Sequence, residues 1–144
     1  MTDERPPQIT ALVTLGGDFV PEELTDELPL EPTSTWVQRR PELRERPDLS
    51  AAEWSIGVQK LPTYSVDDAV SAALDSMWEH RARIVEVTRK RGLSVSLTCS
   101  VTIWGERPVF ELVGATVGRL AELGASFGLD IHDYSDDDED DVNG

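Results

Sequence analysis

From Leu93 to Trp104 the chain alternates without a miss: Leu93, Val95, Leu97, Cys99, Val101 and Ile103 stand against Ser94, Ser96, Thr98, Ser100, Thr102 and Trp104. Successive side chains of a strand point to opposite faces, so this segment reads as a strand with one apolar face and one face of hydroxyls and an indole. The same pattern predicts a strand over Ile9, Ala11, Val13 and Leu15, stopped by Gly16-Gly17. Another runs over Trp54, Ile56 and Val58, with Ser55, Gly57 and Gln59 opposite and Pro62 closing it. A last one sets Phe127, Leu129 and Ile131 against Gly128, Asp130, His132 and Tyr134. Trp36 lies in a further short strand whose parity the pattern leaves open.

Between these strands the apolar period changes to that of a helix. Pro21, followed by Glu22 and Glu23, suits a first helical turn, and Pro29 ends that helix near Leu28. Ser65-Val66-Asp67-Asp68 fits a capping box in which the acid three residues on answers the serine. The spacing of Val66, Val70, Ala73, Leu74, Met77, Arg81 and Ile84 then predicts one long helix to Arg89-Lys90-Arg91, with Gly92 as its left-handed cap. Pro108 and Phe110 mark a brief extended piece, and Val113, Val117, Leu120 and Ala121 a third helix ending at Gly124.

Helices this few and strands this one-sided predict an α+β two-layer sandwich, with helices on one face of a mixed, mostly antiparallel sheet. The opposite face would carry Thr10, Thr14, Ser55, Gln59, the hydroxyl row, Asp130 and His132. Residues 1–134 read as a single domain. Residues 135–144 read as an acidic tail, disordered because it has almost nothing apolar to bury against the entropy of ordering.

Several of these residues are familiar as a set. Gly17-Asp18 with Phe19, Leu28-Pro29-Leu30-Glu31-Pro32-Thr33, Trp36, Trp54, Leu120 to Gly124 and Tyr134 together resemble a bacterial family catalogued as a domain of unknown function, number 4279. The resemblance covers most of the chain and rests on packing and turn motifs. It carries no activity, and what it implies is a small bacterial accessory or immunity-type protein. One departure is Gln38-Arg39-Arg40-Pro41, where the family leads us to expect a glycine-containing turn.

Charge narrows the function classes. The net charge is −15, of which six charges lie in Asp136 to Asp141, so the remainder is still at −9. Such a body repels nucleic acid and anionic lipid and attracts basic partners. A local basic cluster, Arg39, Arg40, Arg44 and Arg46, sits in a proline-bearing loop and reads as a solvated loop or as a partner for the tail. No window is apolar enough for a membrane span, and the charged start MTDERPPQ does not resemble a secretory leader, so the cytoplasm is expected.

Candidate chemistry is sparse. Cys99 is the one cysteine and shares the core parity of Leu97 and Val101, which predicts a small buried hydrophobe and not a nucleophile. His132, between Asp130 and Asp133, has no partners at ligand spacing, and His80 lies in a helix. No glycine-rich phosphate loop, nucleophile elbow or Cys-x-x-Cys pair occurs. The expectation is therefore a non-enzymatic, cofactor-free and metal-free binding module. Its partner would be a basic protein, with immunity to a basic toxin as the sharpest form. The binding residues would come from the polar sheet face: Ser96, Thr98, Ser100, Thr102, Trp104, Gln59, His132 and Tyr134. The alternative is a small-molecule binding domain using the same face, which would need the polar groups to converge in a pocket. Pattern alone says nothing about oligomeric state.

Overall fold

The computed structural model describes residues 5–38 and 52–135, so the arginine loop and the acidic run Asp136 to Asp141 lie outside the described residues. Among the described residues the strands are β1 (Gln8–Gly17), β2 (Ser34–Val37), β3 (Ala52–Pro62), β4 (Ser94–Ile103) and β5 (Ser126–Asp133). They form one sheet in the order β2-β3-β1-β4-β5. β1 pairs antiparallel with both β3 and β4, β2 pairs antiparallel with β3, and β5 lies parallel to β4. Parallel neighbours need a crossover, and α4 (Gly114–Leu123) supplies it. With α1 (Pro21–Glu27), α2 (Val66–Asp75) and α3 (Arg81–Arg91), it completes the expected α+β two-layer sandwich.

One core holds the layers together. Ile9, Ala11, Val13 and Leu15 of β1, Trp54 and Ile56 of β3, and Leu97, Cys99, Val101 and Ile103 of β4 all turn to the helices. They meet Leu24 and Leu28, then Val66, Ala69, Val70, Ala73, Leu74 and Met77, then Ile84, Val87, Leu120 and Leu123. Trp54 is fully buried, and its indole N–H donates to Thr25 Oγ1 at 3.0 Å, which pins α1 to the sheet. Burial of a side chain this size is among the larger single contributions a small domain can have.

Two expectations need correction. The long helix after Ser65 is broken: α2 stops at Asp75, Trp78–His80 forms a 3-10 turn, and α3 resumes at Arg81. The Ser76 hydroxyl donates back to the Ala73 carbonyl, as serine does where it competes with helix propagation, and Met77 leaves helical geometry with φ −126° and ψ 0°. The apolar stripe nevertheless continues in phase from Met77 to Ile84 and Val87, which hides the break from periodicity. Arg81, counted in that stripe, instead lies over the Trp78 ring at 4.8 Å, with Arg119 over the same ring at 4.4 Å. The second correction concerns the capping box. Ser65 Oγ does accept from Asp68 N–H at 3.1 Å, but the Ser65 N–H is taken by Thr63 Oγ1 at 3.2 Å. The acid next to Asp68 works elsewhere: Asp67 Oδ1 accepts the N–H of Val113, tying the start of α2 to the start of α4.

Gly92 and Gly124 close α3 and α4 in the left-handed conformation, at φ +66° and +67°. The short piece near Pro108 pairs as a single bridge between Val109 and Ser65. No helix among the described residues is long and apolar enough to cross a membrane.

Candidate functional site

The face of the sheet away from the helices is built by cross-strand register. Ser34 faces Ser55, Ser55 faces Thr14, Thr14 faces Ser96 and Ser96 faces Ser126, so one straight rank of five hydroxyl residues crosses all five strands. Within it Thr14 and Ser55 are hydrogen-bonded at 2.8 Å, an arrangement typical of cross-strand hydroxyl pairs. The next rank is Gly57, Leu12, Thr98 and Gly128. Side chains are scarce here: a Cβ on Gly57 would lie 2.0 Å from the Ala11 carbonyl oxygen, so only glycine fits. Beyond it lie Thr10, Ser100 and Asp130, then Gln8, Thr102 and His132.

These ranks place the expected residues. Ser96, Ser100 and Thr102 are half-buried and Thr98 is exposed. Gln59 falls in a β-bulge: Val58 faces Ala11 and Leu61 faces Ile9, so Gln59 and Lys60 together oppose Thr10, and Lys60 N–H donates to Thr10 Oγ1 at 3.0 Å. His132 is exposed and its Nε2 lies 2.9 Å from Asp130 Oδ2. Trp104 and Tyr134 follow the last paired residues, Ile103 and Asp133, and leave the sheet at one end. Arg5 covers the Trp104 ring at 4.2 Å. The indole proposed as an anchor therefore already carries a cation on one side.

Two contributors escaped pattern reading. Trp36 pairs with Glu53, which shares the parity of Ser55, so this half-exposed indole stands on the open face at the corner opposite Trp104. A strand of four residues is too short to show its own parity, and only the pairing with β3 settles it. The second is the row Phe127, Leu129 and Ile131. Their partners Leu97, Cys99 and Val101 put them on the helical side, yet they are 40, 43 and 44% exposed. α4 is committed elsewhere: Thr116 bonds Ser71, Arg119 pairs with Asp75 and Arg81 with Glu122.

The chemistry available follows from this geometry. Hydroxyls in straight ranks give a surface for many weak polar contacts and do not converge on a point. A hollow of about 580 Å³ is lined by Glu79, Arg81, Ala82, Val85 and Glu122 on the helical side. Burial pushes the Cys99 thiol up to about 11, which keeps it protonated and poorly nucleophilic at neutral pH. Among the described residues no three His, Cys, Asp or Glu side chains are grouped to hold a metal ion. At the far end of β5 the hydroxyl and N–H of Ser135 both donate to Asp133 and hold its carboxyl below the usual aspartate range, with Arg107 adding to the effect at 2.6 Å.

No curated protein and no solved structure matches the chain. A family model described as "Domain of unknown function (DUF4279)" matches residues 8–134, from the first residue of β1 to the one after β5. The match spans every strand and helix described above, and the chain belongs to the DUF4279 family.

Proposed function

We propose that this protein is a non-enzymatic acidic binding module that engages a basic protein, and that the open sheet face is its main contact surface. The observation that carries the reading is the helix-free face itself: among the described residues all four helices pack on the other side, and none covers the five ranked strands, with Trp36 and Glu53 at one corner and Asp130 and His132 at another. A net charge of −15 supports a basic partner, because complementary fields speed encounter and disfavour acidic competitors. An immunity-type role, occluding a basic toxin in the cytoplasm, is the sharpest form of this proposal. The ranked hydroxyls favour broad contact over a small-molecule pocket.

The test uses affinity capture from the host's own extract by the wild type, Trp36→Ala and Thr98→Arg. Both variants alter exposed side chains and should melt with the wild type. The wild type should retain a basic protein at about 50 mM salt and release it by about 300 mM, as screening shortens the reach of charge. Both variants should lose most of it. Capture of nothing at low salt, or equal capture by all three, would overturn the reading.

A further inference from the structure

We infer that β5 is a docking edge on which an extended segment of the basic partner adds as a sixth strand, a segment in which basic and apolar residues alternate. The inference rests on the acidic-module reading and adds the place and the chemistry of contact. Three independent features point to it.

The first is the backbone. Tyr134 N–H donates to Ile103 O at 2.8 Å, so Gly128, Asp130 and His132 turn their N–H and C=O groups inward to β4. Phe127, Leu129 and Ile131 therefore turn theirs outward, where no described strand meets them. The second is that β5 lacks most of the usual defences, the charges of Asp130 and Asp133 apart. Register runs unbroken from Ser96 against Ser126 to Ile103 against Asp133, with no bulge, no proline and no lysine in eight residues. The opposite edge, β2, protects itself by being four residues long. The third is chemistry on the two sides of the strand. The helical side offers the half-open apolar row, which an added strand's apolar residues would cover. The other side offers Asp130, 71% exposed at its side chain. An added strand alternates its side chains between the same two environments.

Charge also selects among occupants. In an antiparallel pair with a second copy, centred on this row, Asp130 of each copy would approach the other, between molecules that each carry −15. A segment with lysine or arginine at alternate positions meets Asp130 favourably and can compete with His132 for it.

The experiment uses the full chain and a synthetic peptide of about nine residues alternating lysine with valine, beside a peptide of the same composition with its lysines and valines in two blocks. The alternating peptide should bind, and it should slow hydrogen exchange of the Leu129 and Ile131 amides by about tenfold or more while amides of β2 stay unchanged. Leu129→Ser with Ile131→Ser should weaken it about tenfold or more, and Asp130→Asn by several-fold at low salt. Val37→Ala, on the far edge strand β2 and outside the open face, should bind it as the wild type does. Failure of the alternating peptide to bind, equal binding of the block peptide, or absence of amide protection would overturn the docking edge. The capture by the open face would stand or fall separately on its own variants. Sedimentation showing a dimer dispersed by the Leu129 and Ile131 substitutions would overturn it in favour of a second copy.

Discussion

β4 and β5 lie side by side, run parallel and carry the same alternation, yet they live in different surroundings. Leu97, Cys99, Val101 and Ile103 of β4 are essentially inaccessible, whereas Phe127, Leu129 and Ile131 of β5 keep about two-fifths of their surface in water. Their backbones and sides are matched residue for residue. What differs is cover: α2 packs over β1, β3 and β4, and α4 closes against α2 and α3 without reaching over the last strand. Strand parity thus assigns a face, and helix placement decides whether that face becomes core or contact surface.

The hardest test of this contrast is a charge on each strand. Leu97→Asp should leave no folded protein in circular dichroism or gel filtration, since it buries an unpaired carboxylate among apolar neighbours. Thr98→Asp, one residue on and turned to the open face, should shift stability by about 0.5 kcal/mol or less. Equal damage from the two would mean that β4 is covered on both sides. Truncation grades the contrast more finely. By urea denaturation, Leu97→Ala should cost about 2–5 kcal/mol through lost burial and a cavity, and Leu129→Ala under about 1 kcal/mol. If the two costs coincide, the exposed row is packed as firmly as the core.

The end of β5 supplies a smaller, pH-dependent test. Asp133 is held below its ordinary value, chiefly by Ser135 and then by Arg107, so its contribution to stability is present above about pH 3.8 and is lost as pH falls through the lower folded value. Thermal melts taken from pH 5 down to pH 3 should therefore fall less steeply for Asp133→Asn than for the wild type. Smallest of all should be the response of Cys99. A thiol reagent at pH 7.5 should leave it unmodified over the native lifetime and label it at once in denaturant. Rapid labelling of the native protein would show that β4 opens locally, erasing the difference from β5.

Much of this is legible in the sequence alone. Alternation placed Leu97 inward and Thr98 outward, Gly92 and Gly124 marked helix ends, and Cys99 read as an inert hydrophobe. The rest depended on contacts between distant segments. Trp36 needed Glu53 as a neighbour to acquire a face, and the rank from Ser34 to Ser126 exists only because four registers coincide. Leu129 looked like core because nothing in its own strand records that α4 stops short of it. The break at Ser76 and Met77 was masked by an apolar stripe that resumes in phase beyond it.

The order of strands has one more consequence, in time. β1 forms the middle of the sheet, and its neighbour β4 sets Gln8 opposite Thr102, so β1 must wait for a strand far along the chain. During synthesis the edge of β1 that faces β4 stays open while the 76 residues 18–93 are made, with β3 able to pair only the other edge. Such long-range closure makes folding slow compared with helical proteins of similar size, and it makes the nascent chain a natural client for chaperones until β4 arrives.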